Sequence, residues 1–147
     1  LAATAHIRIA DETTYYGLPE GQRGIFVGGG GSVRIPRLMG VARMTDMMLT
    51  GRTYTAAEGL AAGLSQYLVP AGTGMAKAME LAEIIAGNTP LTNFAIMHAL
   101  PRIADSDRQS GLVMESLMAA IAQNDPVAKE RMRAFIKKKA GKVRPPA

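Results

Sequence analysis

The chain has 147 residues, enough for one domain with its own core and too few for two comfortable ones. With 48% hydrophobic and 20% charged residues it does not read as a collagen, a coiled-coil rod or a disordered tail. Cys is absent, which removes disulfides, thiolate metal sites and a cysteine nucleophile together. The net charge of +5 sits at one end: residues 129–147 carry eight Lys or Arg against Glu130 alone, and the rest of the chain is net −2.

No uncharged apolar run approaches the roughly 18 residues of a membrane span. The opening LAATAHIRIA has neither a basic leader nor a cleavage pattern, so the expected location is the cytoplasm or a matrix-like compartment. The sequence opens at Leu1 in what reads as the middle of an element, as a fragment would.

In chain order, residues 6–10 alternate polar with apolar and predict a short strand, closed by a turn over residues 11–14. Residues 15–19 are extended, because the residue before Pro19 is pushed out of the α region. Glycines follow at 21, 24, 28, 29, 30 and 31, a density that no regular element tolerates. Residues 33–50 predict two short helices, interrupted near Pro36 and Gly40 and stopped by Gly51. Thr55 and Glu58 have capping-box spacing, Gly63 closes the helix they begin, and residues 64–69 form a strand ended by Pro70. Four helical patterns complete the chain, at 75–86, 90–104, 107–123 and 126–140. Thr89-Pro90 and Asp125-Pro126 each set a capping oxygen before a proline at the first helical position. The organisation is an α/β piece over residues 1–70 followed by an all-helical module over residues 71–147.

The glycine run is a candidate ligand loop, since its peptide N–H groups can approach an anion closely. It carries no Lys at the Walker position and no clean dinucleotide fingerprint, and a tight packing turn explains the spacing equally well. Glu20, between Pro19 and Gly21, is the acid best placed to serve the same cavity; a carboxylate there is suited to proton transfer. An isolated Glu in a loop is otherwise a surface or capping residue. His6 and His98 lie far apart and no acidic cluster completes a ligand set, so no metal is expected. Ser32 lies in no nucleophile elbow. Gly59 and Gly63 suggest close helix packing and a C-cap, and Met44, Met47 and Met48 suggest core. The basic end is either a solvated helix face or a grip on a phosphate-bearing partner.

Several segments in order resemble the C-terminal half of the crotonase, or enoyl-CoA hydratase/isomerase, superfamily: Ile7-Arg8-Ile9-Ala10, Gly17-Leu18-Pro19-Glu20, Gly24-Ile25-Phe26, Gly28-Gly29-Gly30-Gly31, Arg34-Ile35-Pro36-Arg37-Leu38-Met39-Gly40, Leu49-Thr50-Gly51-Arg52 and residues 57–64. The resemblance implies a spiral of ββα turns followed by helices that build trimers, often paired into hexamers. It implies an enzyme acting on acyl-CoA, with no separate cofactor, through a thioester enolate held by two backbone N–H groups. Glu20 matches the second hydratase Glu, which handles the proton at the α-carbon. Gly28 and Gly29 match the loop beside the water and thioester, with Val27 where the family commonly has proline. Phe135 and Lys138 match the terminal helix that reaches the adenine and phosphate end of CoA in a neighbouring subunit. The first Glu and the oxyanion-hole donors would fall before Leu1, so the chain alone is expected to be inactive.

The resemblance implies hydration of an α,β-unsaturated acyl-CoA. A Δ3,Δ2-enoyl-CoA isomerase and a non-catalytic CoA-binding or oligomer-forming module stand beside it, and nucleic-acid binding becomes the weaker account of the basic end.

Overall fold

The computed structural model describes residues 1–139 and residue 141. Two compact units divide the chain, Leu1–Leu81 and Ala82–Ala147.

The first unit contains β1 (Ile9–Asp11), β2 (Tyr15–Tyr16), α1 (Gly31–Met39), α2 (Val41–Thr50), β3 (Tyr54–Thr55), α3 (Ala56–Ala62), β4 (Tyr67–Val69) and the start of α4 (Gly74–Ala86). β1 and β4 pair in parallel with Ile9 opposite Tyr67, and β2 and β3 pair antiparallel with Tyr15 opposite Thr55. Met39, Met44, Met47, Tyr54, Ala62 and Leu64 form the buried cluster, with Val27, Ile35 and Met48 packed on it. The unbranched thioethers fill the irregular space where two helices cross short strands; of the expected core methionines Met44 and Met47 are buried, and Met48 is only partly buried against them.

Several boundaries differ from the sequence reading: the strand expected over residues 6–10 is found at Ile9–Asp11, and the first helix begins at Gly31 and not at residue 33. α1 runs through Pro36 instead of breaking there. Its Ile35, Leu38 and Met39 share the core-facing side, and their burial outweighs the one lost helix hydrogen bond. β4 begins at Tyr67 and not at residue 64, because the Leu64 N–H is spent on the Gly59 carbonyl in closing α3, at 2.8 Å. Thr55 and Glu58 form the capping box: Glu58 N–H donates to Thr55 Oγ1 at 3.2 Å, and Thr55 N–H donates to Glu58 Oε2 at 2.9 Å. Gly63 closes α3 in the left-handed region at φ 89°. Gly59 is fixed by space, since a Cβ there would enter the Tyr16 ring.

The second unit holds the end of α4, then α5 (Pro90–Phe94), a π-helical segment (Ala95–Ala99), α6 (Leu100–Asp105), α7 (Arg108–Gln123) and α8 (Pro126–Ile136). Asp107 caps α7 through the N–H groups of Gln109 and Ser110, and Asp125 caps α8 through those of Val127 and Ala128. Thr89 does not cap α5 with its side chain; its hydroxyl lies 2.6 Å from that of Thr92 instead. α8 stops at Ile136, where Lys138 and Lys139 return their N–H groups to Phe135 and Ala134. The part of the basic end over residues 140 and 142–147 lies outside the described residues. Among the described residues no helix is long and apolar enough to cross a membrane, and no His, Asp and Glu group is placed to hold a metal.

Candidate active site

Glu20 stands at the start of a single 3-10 turn, Gly21–Arg23, and its carbonyl accepts from the N–H groups of Arg23 and Ile25, each at 3.1 Å. The residue is half-buried. The Oε2 atom is buried and has no hydrogen-bond partner, one of two such side-chain atoms found among the described residues. Leaving a carboxylate oxygen shielded and unpaired is costly in a folded protein.

The backbone around Glu20 is held by α2. Gln22 Nε2 donates to the Thr50 carbonyl at 3.0 Å, and the Gly21 backbone lies directly on the Met48 carbonyl. Gly24 then reverses the chain at φ 67°, and Ile25 and Phe26 are exposed.

Gly28, Gly29, Gly30 and Gly31 form a tight turn closed by the Gly31 N–H on the Gly28 carbonyl at 3.1 Å. Gly29 and Gly30 have φ of 62° and 82°, which only glycine adopts at little cost. The turn leads into α1, where the Gly30 carbonyl accepts from Val33 and Arg34. Among the described residues, no hydrogen bond from the N–H of Gly28, Gly29 or Gly30 is found, and Gly28 and Gly29 are exposed. Val27 packs on the core, and a Cβ at Gly31 would lie 2.6 Å from its Cγ2. The packing-turn reading of the spacing is thus met on the α1 side, and on the other side Gly28 and Gly29 are exposed.

Phe135 and Lys138 belong to the second unit. Phe135 is 70% exposed at the end of α8, and Lys138 follows it with φ 54°, the one left-handed non-glycine residue among those described. Glu20, Gly28 and Gly29 share the first unit and one continuous segment. The sequence reading has Gly21 only as one of the glycine run and does not single out Gln22; both dock the Glu20 turn. A glycine directly after a loop acid was the available signal.

The sequence pattern of the Enoyl-CoA hydratase/isomerase family matches residues 1–143. The chain belongs to this family. Among curated members it is 33% identical to the Mycobacterium tuberculosis enoyl-CoA hydratase EchA19, over 91% of this chain and 50% of that protein. It is 30% identical to the Escherichia coli 2,3-dehydroadipyl-CoA hydratase, over 95% of this chain and 54% of that protein. The chain therefore spans about half the length of the curated relatives it matches.

Solved structures agree on the enoyl-CoA hydratase/isomerase fold. A Rhodopseudomonas palustris protein provisionally assigned as an enoyl-CoA hydratase is 62% identical with a TM-score of 0.86, covering 94% of this chain and 54% of that one. The Bacillus anthracis enoyl-CoA hydratase is 34% identical with a TM-score of 0.84, covering 93% and 53%. The α/β expectation thus stands as the crotonase-like fold, in a chain that is mostly helical.

Proposed function

We propose that this chain is the C-terminal half of an enoyl-CoA hydratase, with Glu20 as the carboxylate that moves the proton at the substrate α-carbon. The buried, unpartnered Oε2 of Glu20 carries the proposal. In the reaction, the elements of water add across the α,β double bond of an acyl-CoA: the hydroxyl oxygen bonds to the β-carbon and the α-carbon gains a proton. An enolate of the thioester lies between the two events, and peptide N–H groups stabilise its oxygen. The first carboxylate and the oxyanion donors belong, on this reading, to polypeptide outside these 147 residues.

Gly28 and Gly29 border the water and the thioester, supported by their exposed, uncommitted N–H groups. Phe135 and Lys138 hold the adenine and phosphate end of CoA in a neighbouring subunit of a trimer or hexamer. An exposed aromatic ring and a compact ammonium suit that role. The proposed setting is cytoplasmic.

The test is a chimera in which this chain replaces the matching stretch of the Rhodopseudomonas palustris relative, assayed on a short α,β-unsaturated acyl-CoA. Glu20→Gln is expected to lower kcat by about 10²- to 10⁴-fold, the usual contribution of a positioned acid or base. Full hydration by Glu20→Gln would remove the proposed role. Conversion of a β,γ-unsaturated acyl-CoA without hydration would instead make the enzyme an isomerase, and CoA binding with neither reaction would make the chain a non-catalytic module.

A further inference from the structure

We infer that Gly21 and Gln22 are positioning residues that clamp the Glu20 turn onto the C-terminal end of α2, an inference that rests on the proton-transfer reading of Glu20. The clamp has a steric half and a polar half. A Cβ on Gly21 would fall on the Met48 carbonyl oxygen, inside the 3.0 Å that real Cβ atoms keep. Gly21 does not have left-handed φ, so glycine is required there for close approach and not for backbone freedom. The atom it meets is backbone held within α2, which cannot swing aside as a side chain would.

The polar half is Gln22. The last carbonyls of a helix have no partner within it, and the Gln22 amide supplies one to Thr50 at 3.0 Å. The same amide lies over Gly51, which ends α2 at φ 73°, and a Cβ on Gly51 would strike it. Two consecutive residues are thus keyed to two glycine-dependent contacts on one helix end. Glu20 immediately precedes them, and its carbonyl closes the turn on Arg23 and Ile25. With that backbone fixed, the carboxylate has only its own side-chain torsions left to set.

A proton-transfer group moved by about 1 Å loses on the order of 10²-fold in rate. In the chimera, Gly21→Ala is expected to lower kcat by about that factor with KM for the acyl-CoA unchanged. Gln22→Ala should lower kcat by about fivefold, the order of one exposed hydrogen bond. Gln22→Lys, which keeps a donor for the Thr50 carbonyl, should recover most of that loss. A merely structural role would lower activity through the amount of folded enzyme and would show no such donor rescue.

Hydrogen exchange on the 147-residue chain supplies a readout independent of turnover. The amides of Arg23 and Ile25 should exchange at least about tenfold faster in both alanine variants, with those of α7 unchanged. Unaltered exchange at Arg23 and Ile25 would overturn the clamp. So would unaltered kcat in Gly21→Ala and Gln22→Ala while Glu20→Gln is inactive. Should Glu20→Gln keep full activity, the Glu20 reading itself fails, and faster exchange alone would then define a structural turn.

Discussion

Asp11 shows how one side chain can fix a junction that a strand of three residues could not hold by itself. Its Oδ1 accepts from the Thr13 hydroxyl at 2.6 Å and the Thr13 N–H at 3.0 Å, while Oδ2 accepts from the Gly72 N–H at 3.2 Å. The end of β1 is thereby tied to the turn after β4, on top of the Glu12 N–H bond to the Val69 carbonyl. The Thr13 hydroxyl, then the backbone of Gly72 and Thr13, hold the Asp11 carboxyl below its ordinary value of 3.8. The sign follows from that direction. A carboxylate whose folded value is depressed adds stability above its unfolded value, and that stability is lost as pH falls through the folded value. Urea midpoints measured from neutral pH downward should therefore show Asp11→Asn less stable than the parent at neutral pH. The two should converge below the ordinary carboxylate range. A gap that stays constant through the acid region would mean that the ionised form has no special part in the junction.

Among the elements, the π-helical segment Ala95–Ala99 has a cause two residues downstream. Pro101 offers no N–H and its ring opposes the carbonyl four residues back, so regular α-helical spacing is interrupted there. The Leu100 N–H takes the Ala95 carbonyl instead, a five-residue closure. Pro101→Ala removes the obstruction, and the run 90–105 should become regular helix, with a gain of about 1–3 kcal/mol in unfolding free energy. Chemical denaturation reads the gain, and amide exchange across residues 95–101 reads the change of register. Unchanged exchange there with no gain in stability would place the cause in tertiary contacts and not in Pro101. This segment also shows what the sequence could and could not reveal. The helix, its start at Pro90 and the caps at Asp107 and Asp125 are local, because each depends on residues within four positions. The Thr55–Glu58 capping box was legible for the same reason. The pairing of β1 with β4 and the dock of Gly21 on Met48 were not, since both join residues far apart in the chain. Glu20 and the glycine turn could be singled out as residue types in a pattern; the burial of one carboxylate oxygen could not.

Both units leave large apolar residues exposed, Phe26, Val41 and Leu49 in the first among them. The first packs Met39, Met44 and Met47 into a buried cluster, and the second leaves Leu112, Val113, Leu117 and Ile121 of α7 between 49% and 60% exposed. Beside them lies an open apolar cavity of about 370 Å³, lined by Phe94, Ile103, Met114, Leu117, Met118 and Ile121. Helices with a hydrophobic stripe bury it against something, and contiguous apolar patches of this kind mark association surfaces on soluble proteins. The proposed trimer supplies an occupant: further copies of the same helices. Sedimentation of the chain at micromolar concentration should then show a species heavier than its 15.5 kDa mass. Leu117→Lys together with Ile121→Glu should restore a monomer, because association would have to bury both charges. Circular dichroism should be unchanged, since both positions are already exposed and both replacements are good helix formers. A parent chain that stays monomeric up to high micromolar concentration would separate this face from subunit assembly. The proposed reach of Phe135 and Lys138 into a neighbouring subunit would then lose its geometric basis, while the chemistry assigned to Glu20 would stand on its own evidence.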